Sequence, residues 1–454
     1  MVRLKEPQLS GLGQNPAAPI DALVRLAAHE AGRHGLELRK GQLPNQVVEA
    51  LLTYGGSDSA VLLNGTRVSP TMRCRIAEHP DPAIRDARAD FIRTMVEREV
   101  RLGGIEDLVE AYGRPPTELA ATSDPKLRAM VARTWRERPI AVQLALLTDP
   151  DPEVRAAATQ DKHPGVPPEY YERCLADPVV RANIARHIPL TPEQFDRLLA
   201  TGEETVLHAV AGNPHLTVDM VARLQDSADP SVRVAVAYSR HVTPETRDRL
   251  LALVEAEDAA GSDDAAVALR WSPYTPSWLR DAPLAERLAY LDCPHAMFRK
   301  VLATGRDLPA EAWQRLDDDP DVSVRRAAAH RPDTPPHILL RLIRAHGERS
   351  HVRPLLVDHP NFPRRELRGL VDEPNPRTRL LALKDPELPV AELRRFGDSA
   401  EAFLRAGAAR HPNVGADLLE RLLMDPDPHV VEDAAANPVL PRARMDRIIA
   451  DAGL

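Results

Sequence analysis

Three sets of side chains in this 454-residue chain are of the types that do chemistry. Sixteen histidines could bind a metal or carry protons, and four of them, His79, His163, His359 and His411, stand directly before a proline. No HExxH, GxSxG, phosphate-binding loop or GxGxxG phrase accompanies them. The four occupy a turn where Asn or Asp stands elsewhere, so they are expected to be turn and cap residues. The second set pairs an arginine with an acid four residues earlier, as in Asp151/Arg155, Asp177/Arg181, Asp229/Arg233 and Asp321/Arg325. That spacing puts both groups on one helix face while the Asp also caps the helix, and in a stacked array each Arg can reach a carboxylate or a helix C-terminus of the next unit. A bare stripe of guanidiniums would track phosphates, but an acid recurring with each arginine points to internal pairing. Arg155, Arg181, Arg233 and Arg325 are therefore assigned to a structural ladder. The third set is aromatic. Rings make up only 4% of the chain, yet Trp271, Tyr274, Trp278, Tyr290, Phe298 and Trp313 crowd into residues 255–318. Such amphipathic rings dominate binding hot spots, which makes Trp271, Tyr274, Trp278, Tyr290 and Trp313 the candidate binding residues. The competing expectation is that they fill a bend where two regular halves meet. No catalytic residue and no metal ligand is legible.

The elements that hold these residues follow from a repeat. The stretch DPDPEVRAAA at Asp149 returns as DPVVRANIA, DPSVRVAVA and DPDVSVRRAAA. Its β-branched position falls at Val154, Val180, Val206 and Val232, and later at Val352, Thr378, Leu404 and Val430, always 26 residues apart. Looser copies at Val24, Ser57, Ile84, Leu127, Asp264, Glu286 and Val324 bring the total to about 15 units, and fixed self-similarity of this length marks a helical array. Each unit parses into two short helices. Asp151 can cap the first, Pro152 takes a position where its missing N–H costs nothing, and Val154, Ala157 and Ala158 share a face. Val206, Ala209 and Val210 repeat that triad, as do Val352, Leu355 and Leu356. A residue–proline pair then stops the helix, and a second apolar segment follows, as in GADLLERLLMDP with Leu418, Leu419, Leu422 and Leu423. Helices of about ten residues do not persist alone in water, so stability must come from stacking.

Composition agrees with a folded array. The 43 prolines are twice the usual share of roughly 5%, but they fall at regular positions among 43% apolar residues, so they punctuate a folded chain. Net charge is −8, which does not draw a protein to nucleic acid non-specifically. Arginines number 53 against 6 lysines, as in a bacterial chain from a GC-rich genome. Cys74, Cys174 and Cys293 lie about a hundred residues apart and support neither a disulfide framework nor a zinc or iron–sulfur site. No apolar run reaches the ~18 residues of a membrane span, and the N-terminus lacks the apolar core of a signal peptide. A cytoplasmic protein is expected.

The VRxAVAxNPxLxxxxLxRLxxDP grammar, visible in DPSVRVAVAYSRHVTPETRDRL and FLRAGAARHPNVGADLLERLLMDP, resembles the leucine-rich repeat variant family; HEAT-type repeats, usually longer than 26 residues, rank second. The resemblance implies an all-α, right-handed superhelical solenoid. Some family members carry an iron–sulfur domain ahead of the repeats, but here the first hundred residues hold only Cys74. The expected layout is a flexible tail over 1–19, repeats over 20–254, an irregular aromatic-rich segment over 255–318, and repeats with a cap over 319–454. An extra helix pair is expected between Ile84 and Leu127. Asp433 sits where other units bury Ala or Leu, so the last unit is expected to be a cap with that face in water.

The function these observations favour is a non-enzymatic scaffold that binds a protein or peptide on a concave surface, without cofactor or metal and away from membranes. Two alternatives stay open. One is a DNA-binding helical-repeat protein of the alkyl-base glycosylase type, with the ladder on phosphates and Trp271 or Trp278 stacked on a base. The acid paired with each arginine argues against it. The other is a small-molecule-binding helical-repeat protein of the bilin-lyase kind, supported only by the aromatic clustering.

Overall fold

The phrase DPDPEVRAAA folds as its residue types dictate in a computed structural model that describes every residue except 1, 63–66, 101, 161–164, 306 and 349–353. Asp151 caps the helix Pro152–Ala158 by accepting the Glu153 N–H at 2.9 Å. Val154, Ala157 and Ala158 are buried on its inner face. The acid before the first proline has a different task. Asp149 accepts the Asp151 N–H at 2.9 Å and both arms of Arg128, from the preceding repeat, at 2.7 and 2.8 Å. Arg155 passes the connection on, donating to Asp177 at 2.6 Å and to the carbonyls of Asp149 and Pro150 at 2.8 and 3.0 Å. One arginine thus ties down the turn before its own helix and the first acid of the next repeat.

The same double use recurs. Arg181 bonds Glu203 at 3.1 Å and the Ala176 carbonyl at 3.2 Å. Arg233 bonds Glu257 and the carbonyls of Ser227 and Ala228. Arg325 holds the carbonyls of Asp319 and Pro320. Arg299 and Arg405 make the full two-armed contact with Asp319 and Asp425. Of the two roles the spacing offers the acid, Asp151 and Asp229 take the capping one, and Arg155, Arg181 and Arg233 reach outward to carboxylates of the following repeat, as a ladder requires. Burial by itself would raise the carboxyls of Asp149, Asp177 and Asp425, but the arginine and a backbone N–H hold each below the ordinary range.

The chain is all-helical, with 65% of it in helix and no strand among the described residues. First helices of successive repeats stack: Pro125–Thr134 on Pro152–Ala158, Arg181–Ala185 on Glu204–Ala211, and Glu204–Ala211 on Pro230–Ala237. The markers Val154, Val180, Val206, Val232, Leu404 and Val430 are all buried. The marker Val352 and the pre-proline His163 lie outside the described residues. Between Ile84 and Leu127 the chain forms the helices Ala87–Glu97 and Ile105–Tyr112.

Two units emerge, and they differ from the layout expected from the sequence. One is the continuous stretch Ile92–Ala328; the other joins Met1–Phe91 to Ala329–Leu454. In the second unit the expected flexible tail is instead the helix Val2–Gln14, with Leu9 and Leu12 buried. It packs between Glu30–Leu38 and Pro428–Ala435. Glycines on both sides make that approach possible: a methyl group at Gly11, in the phrase SGLGQN, would lie 2.1 Å from the Glu432 carbonyl, and one at Gly35, in Glu30–Leu38, would lie 2.0 Å from that of Ser10. Polar bonds set the register. Asn15 donates to the carbonyls of Ala435 and Asn437 at 2.9 and 2.7 Å, as Asn437 does to Ala409 and His411 at 2.6 and 3.0 Å. His411 continues the series to the Asp385 carbonyl at 2.8 Å. The pre-proline residues are thus rungs between repeats as well as turn residues.

The expected water-facing cap is corrected by the same packing. Asp433 is only 7% exposed and binds Arg410 at 2.6 Å, while its other oxygen has no hydrogen-bond partner. Burial raises its pKa, and Arg410 opposes that without cancelling it.

Two predictions follow from these bonds. Arg299→Ala strands the buried Asp319, so unit Ile92–Ala328 should lose about 3–5 kcal/mol in denaturant unfolding. Arg315→Ala, at an exposed pair with Asp292, should shift the curve little; equal losses would mean burial does not set the strength of the ladder. For Asp433 the folded state holds the proton more tightly than the unfolded chain. Its stability contribution is full below the unfolded value of about 3.9 and is lost as pH rises through the folded value. The stability of Asp433→Asn relative to the native protein should therefore climb as pH rises above about 4. A flat difference in urea unfolding would show that the carboxylate ionises there without cost.

Candidate functional site

The break in the repeat begins with a helix twice the usual length, Pro244–Ala259, followed by Asp263–Arg270. The chain then runs back as WSPYTPSW, residues 271–278, across repeats it has already made. Two aromatic side chains pin it there. Tyr274 donates its hydroxyl to the His208 carbonyl at 2.9 Å, and Trp278 donates its indole N–H to the Tyr238 carbonyl at 2.8 Å. Tyr274 is buried, which raises its phenol pKa. Its ring needs Gly212, where a methyl group would come within 2.6 Å of Cε1.

Behind Trp278 lies a packed aromatic group. Trp278 meets Tyr290 edge to face at 5.7 Å, Tyr290 stacks on Phe298 at 5.3 Å, and Phe298 meets Tyr238 edge to face at 5.6 Å. The Tyr238 phenol is pushed up to about 12 by burial. Arg247, buried and without a carboxylate partner, lies over the Phe298 and Tyr290 rings at 4.4 and 5.2 Å and donates to the Tyr290 hydroxyl at 3.1 Å. Two ring faces, the Tyr290 hydroxyl and the Ala237 carbonyl, at 3.3 Å, thus carry its charge. This arrangement makes the wall behind Trp278 rigid.

Between the returning loop and the repeats beneath it lies a cleft of about 240 Å³. Arg186, Gly212, Tyr238, Arg240, His241, Tyr274 and Trp278 are among its lining, which contains no Asp or Glu. Arg186 lies 5.9 Å above the Tyr274 ring and Arg240 lies 6.0 Å above that of Trp278. Among the described residues no hydrogen bond or ion pair engages either guanidinium, whereas the ladder arginines are bound to carboxylates or turn carbonyls. A larger hollow of about 680 Å³ opens in the other unit beside Met72 and His79, but no Phe, Tyr or Trp lines it and its Arg75 is already paired with Glu49.

Of the five candidate binding residues, Tyr274 and Trp278 line the cleft, and Tyr290 supports Trp278 from behind. Trp271 stands 80% exposed at the end of Asp263–Arg270. Trp313 is a core residue of Ala310–Asp317, which removes it as a binding residue; its ring fills the interior there. Arg186, Gly212 and Arg240 were missed. A signal existed, because Arg186, Gly212 and Tyr238 each stand six residues beyond the markers Val180, Val206 and Val232. That slot faces the cleft in three successive repeats.

One rung of the ladder departs from arginine. His208 bonds Asp229 at 2.6 Å, and with Glu204 these residues bring three ligand atoms within 4.8 Å of one another. Asp229 already caps Pro230–Ala237 and His208 takes a ladder place, so the group has a structural occupation.

No family model and no curated protein matches the chain. Among solved structures that match, a crystal structure described as an engineered protein is 16% identical, covers 98% of this chain and 94% of its own, and has a TM-score of 0.12. At that TM-score the likeness carries no argument.

The seat of Tyr274 generates a prediction. Gly212→Ala should displace the ring and cost about 1–3 kcal/mol, and it should speed hydrogen exchange across residues 271–278. Unchanged exchange would mean that the loop does not depend on that seat.

Proposed function

We propose that this chain is a non-enzymatic helical-repeat scaffold that binds a peptide segment of a partner protein in the cleft beneath residues 271–278. The repeat grammar and its resemblance to the leucine-rich repeat variant family belong to the same reading, as does an α-solenoid form. The observation that carries it is the returning loop, which breaks the repeat in order to hold Tyr274 and Trp278 at the mouth of a cleft with uncommitted polar groups.

Size supports a peptide over a cofactor or nucleotide. Sites for whole small molecules run to roughly 300–1,000 Å³, and this cleft falls below that range, which suits one or two side chains of an extended segment. The chemistry of the lining supports binding over catalysis, since His241 has no acid beside it to orient it as a base. The nucleic-acid alternative loses its main support, because the guanidiniums that would track phosphates are spent on carboxylates and carbonyls within the fold.

Selection from an unbiased nine-residue display library tests the reading. The protein should enrich peptides that bind saturably, and Trp278→Ala should weaken them about thirtyfold, as expected for a hot spot of ~2 kcal/mol. The exposed Trp271→Ala reports whether contact extends beyond the cleft. If no peptide is enriched, or if duplex DNA binds saturably at physiological salt in a ladder-dependent manner, the proposal falls.

A further inference from the structure

Resting on that peptide-binding reading, we infer that the segment is acidic and that an Asp or Glu side chain enters the cleft to meet Arg186 and Arg240. The inference comes from how Arg186 and Arg240, which line a cleft, differ from the arginines of the ladder. Acids outnumber bases, 67 to 59, and the buried and half-buried ladder guanidiniums are held by carboxylates or turn carbonyls. Arg186 and Arg240 are not. Both line one cleft whose walls supply no carboxylate, and His241 beside them likewise has no side-chain partner.

These guanidiniums are also positioned in advance. Each lies over an aromatic ring, Arg186 on Tyr274 and Arg240 on Trp278, and both rings are fixed by hydrogen bonds to backbone carbonyls. A guanidinium stacked on a ring keeps its N–H edges free, and those edges match a carboxylate. Ordering these side chains before the ligand arrives lowers the cost of binding. The cleft is too small for a nucleotide and the protein is net negative, so an anion must be drawn by this local patch and must be small. A carboxylate on a peptide meets both conditions. The aromatic walls then pack against the neighbouring residues of the segment.

The display selection separates this inference from its parent. Enriched peptides should share an Asp or Glu, and replacing it with Asn or Gln should weaken binding about tenfold. In Arg186→Gln/Arg240→Gln the same replacement should have no effect, because the charge it removes no longer has a partner. Circular dichroism and the thermal midpoint of the double variant establish that it folds. If it does not, Arg240→Lys, at an exposed position, is the substitute; it keeps the charge but loses the fork, and should weaken acidic peptides more than their amide forms. Enriched peptides that lack acids, or that bind the double variant as well as the native protein, overturn the inference while peptide binding stands. Single-stranded oligothymidylate that displaces the peptides at equal concentration overturns it as well. An empty selection removes both.

Discussion

The fold depends on one requirement: every short helix ends in a turn whose polar groups need partners, and the repeat supplies them from its neighbour. An arginine one turn into the first helix reaches back to the carbonyls of the preceding turn and forward to the first acid of the next repeat. The Asp before the following proline accepts that arginine while also turning its own backbone, and the second Asp caps the next helix. A residue before the helix-ending proline does the corresponding work on the other side of the turn. The apolar triads are narrow, so without these two series the stacked helices would have contact but no fixed register. Buried ion pairs of this kind serve alignment more than net stability.

The site is a local suspension of that rule. Where the chain lengthens Pro244–Ala259 and returns as WSPYTPSW, carbonyls at His208 and Tyr238 are bonded by aromatic side chains from the returning loop instead. A loop held by two hydrogen bonds and an aromatic stack can leave a gap beneath it that regular stacking would fill. Two arginines face that gap with no acid supplied.

Much of this was legible in the residues, and the limits have physical causes. The period, the two-helix unit, the capping Asp and the small apolar triad can be read from spacing because each is fixed within about ten residues. The density of rings marked residues 255–318 as irregular but did not sort them: Tyr274 and Trp278 line a cleft, whereas Trp313 lies in the core, since composition does not say which face of Ala310–Asp317 turns inward. The partners of the arginines were legible in outline only. Spacing places each Arg within reach of an acid of its own unit or of the next, and only the fold shows that backbone N–H groups claim the near acid and leave the far one to the arginine. Asp433 misled: its type suggested water, while the helix that covers Pro428–Ala435 comes from the opposite end of the chain.

That covering helix imposes an order on folding. Asn15 is made about 420 residues before the carbonyls it binds, and the Ser10 bond to Glu432 spans 422 positions. While the chain is being synthesised, Val2–Gln14 is too short to persist alone and one of its faces has no partner. The unit Ile92–Ala328 is one continuous stretch and can fold as it emerges. The other unit must wait for the repeat around Val430. Contacts of such long range slow folding, so the closing of Asn15 onto Ala435 and Asn437 becomes the late step, and until it occurs Leu9 and Leu12 lack part of the packing that buries them.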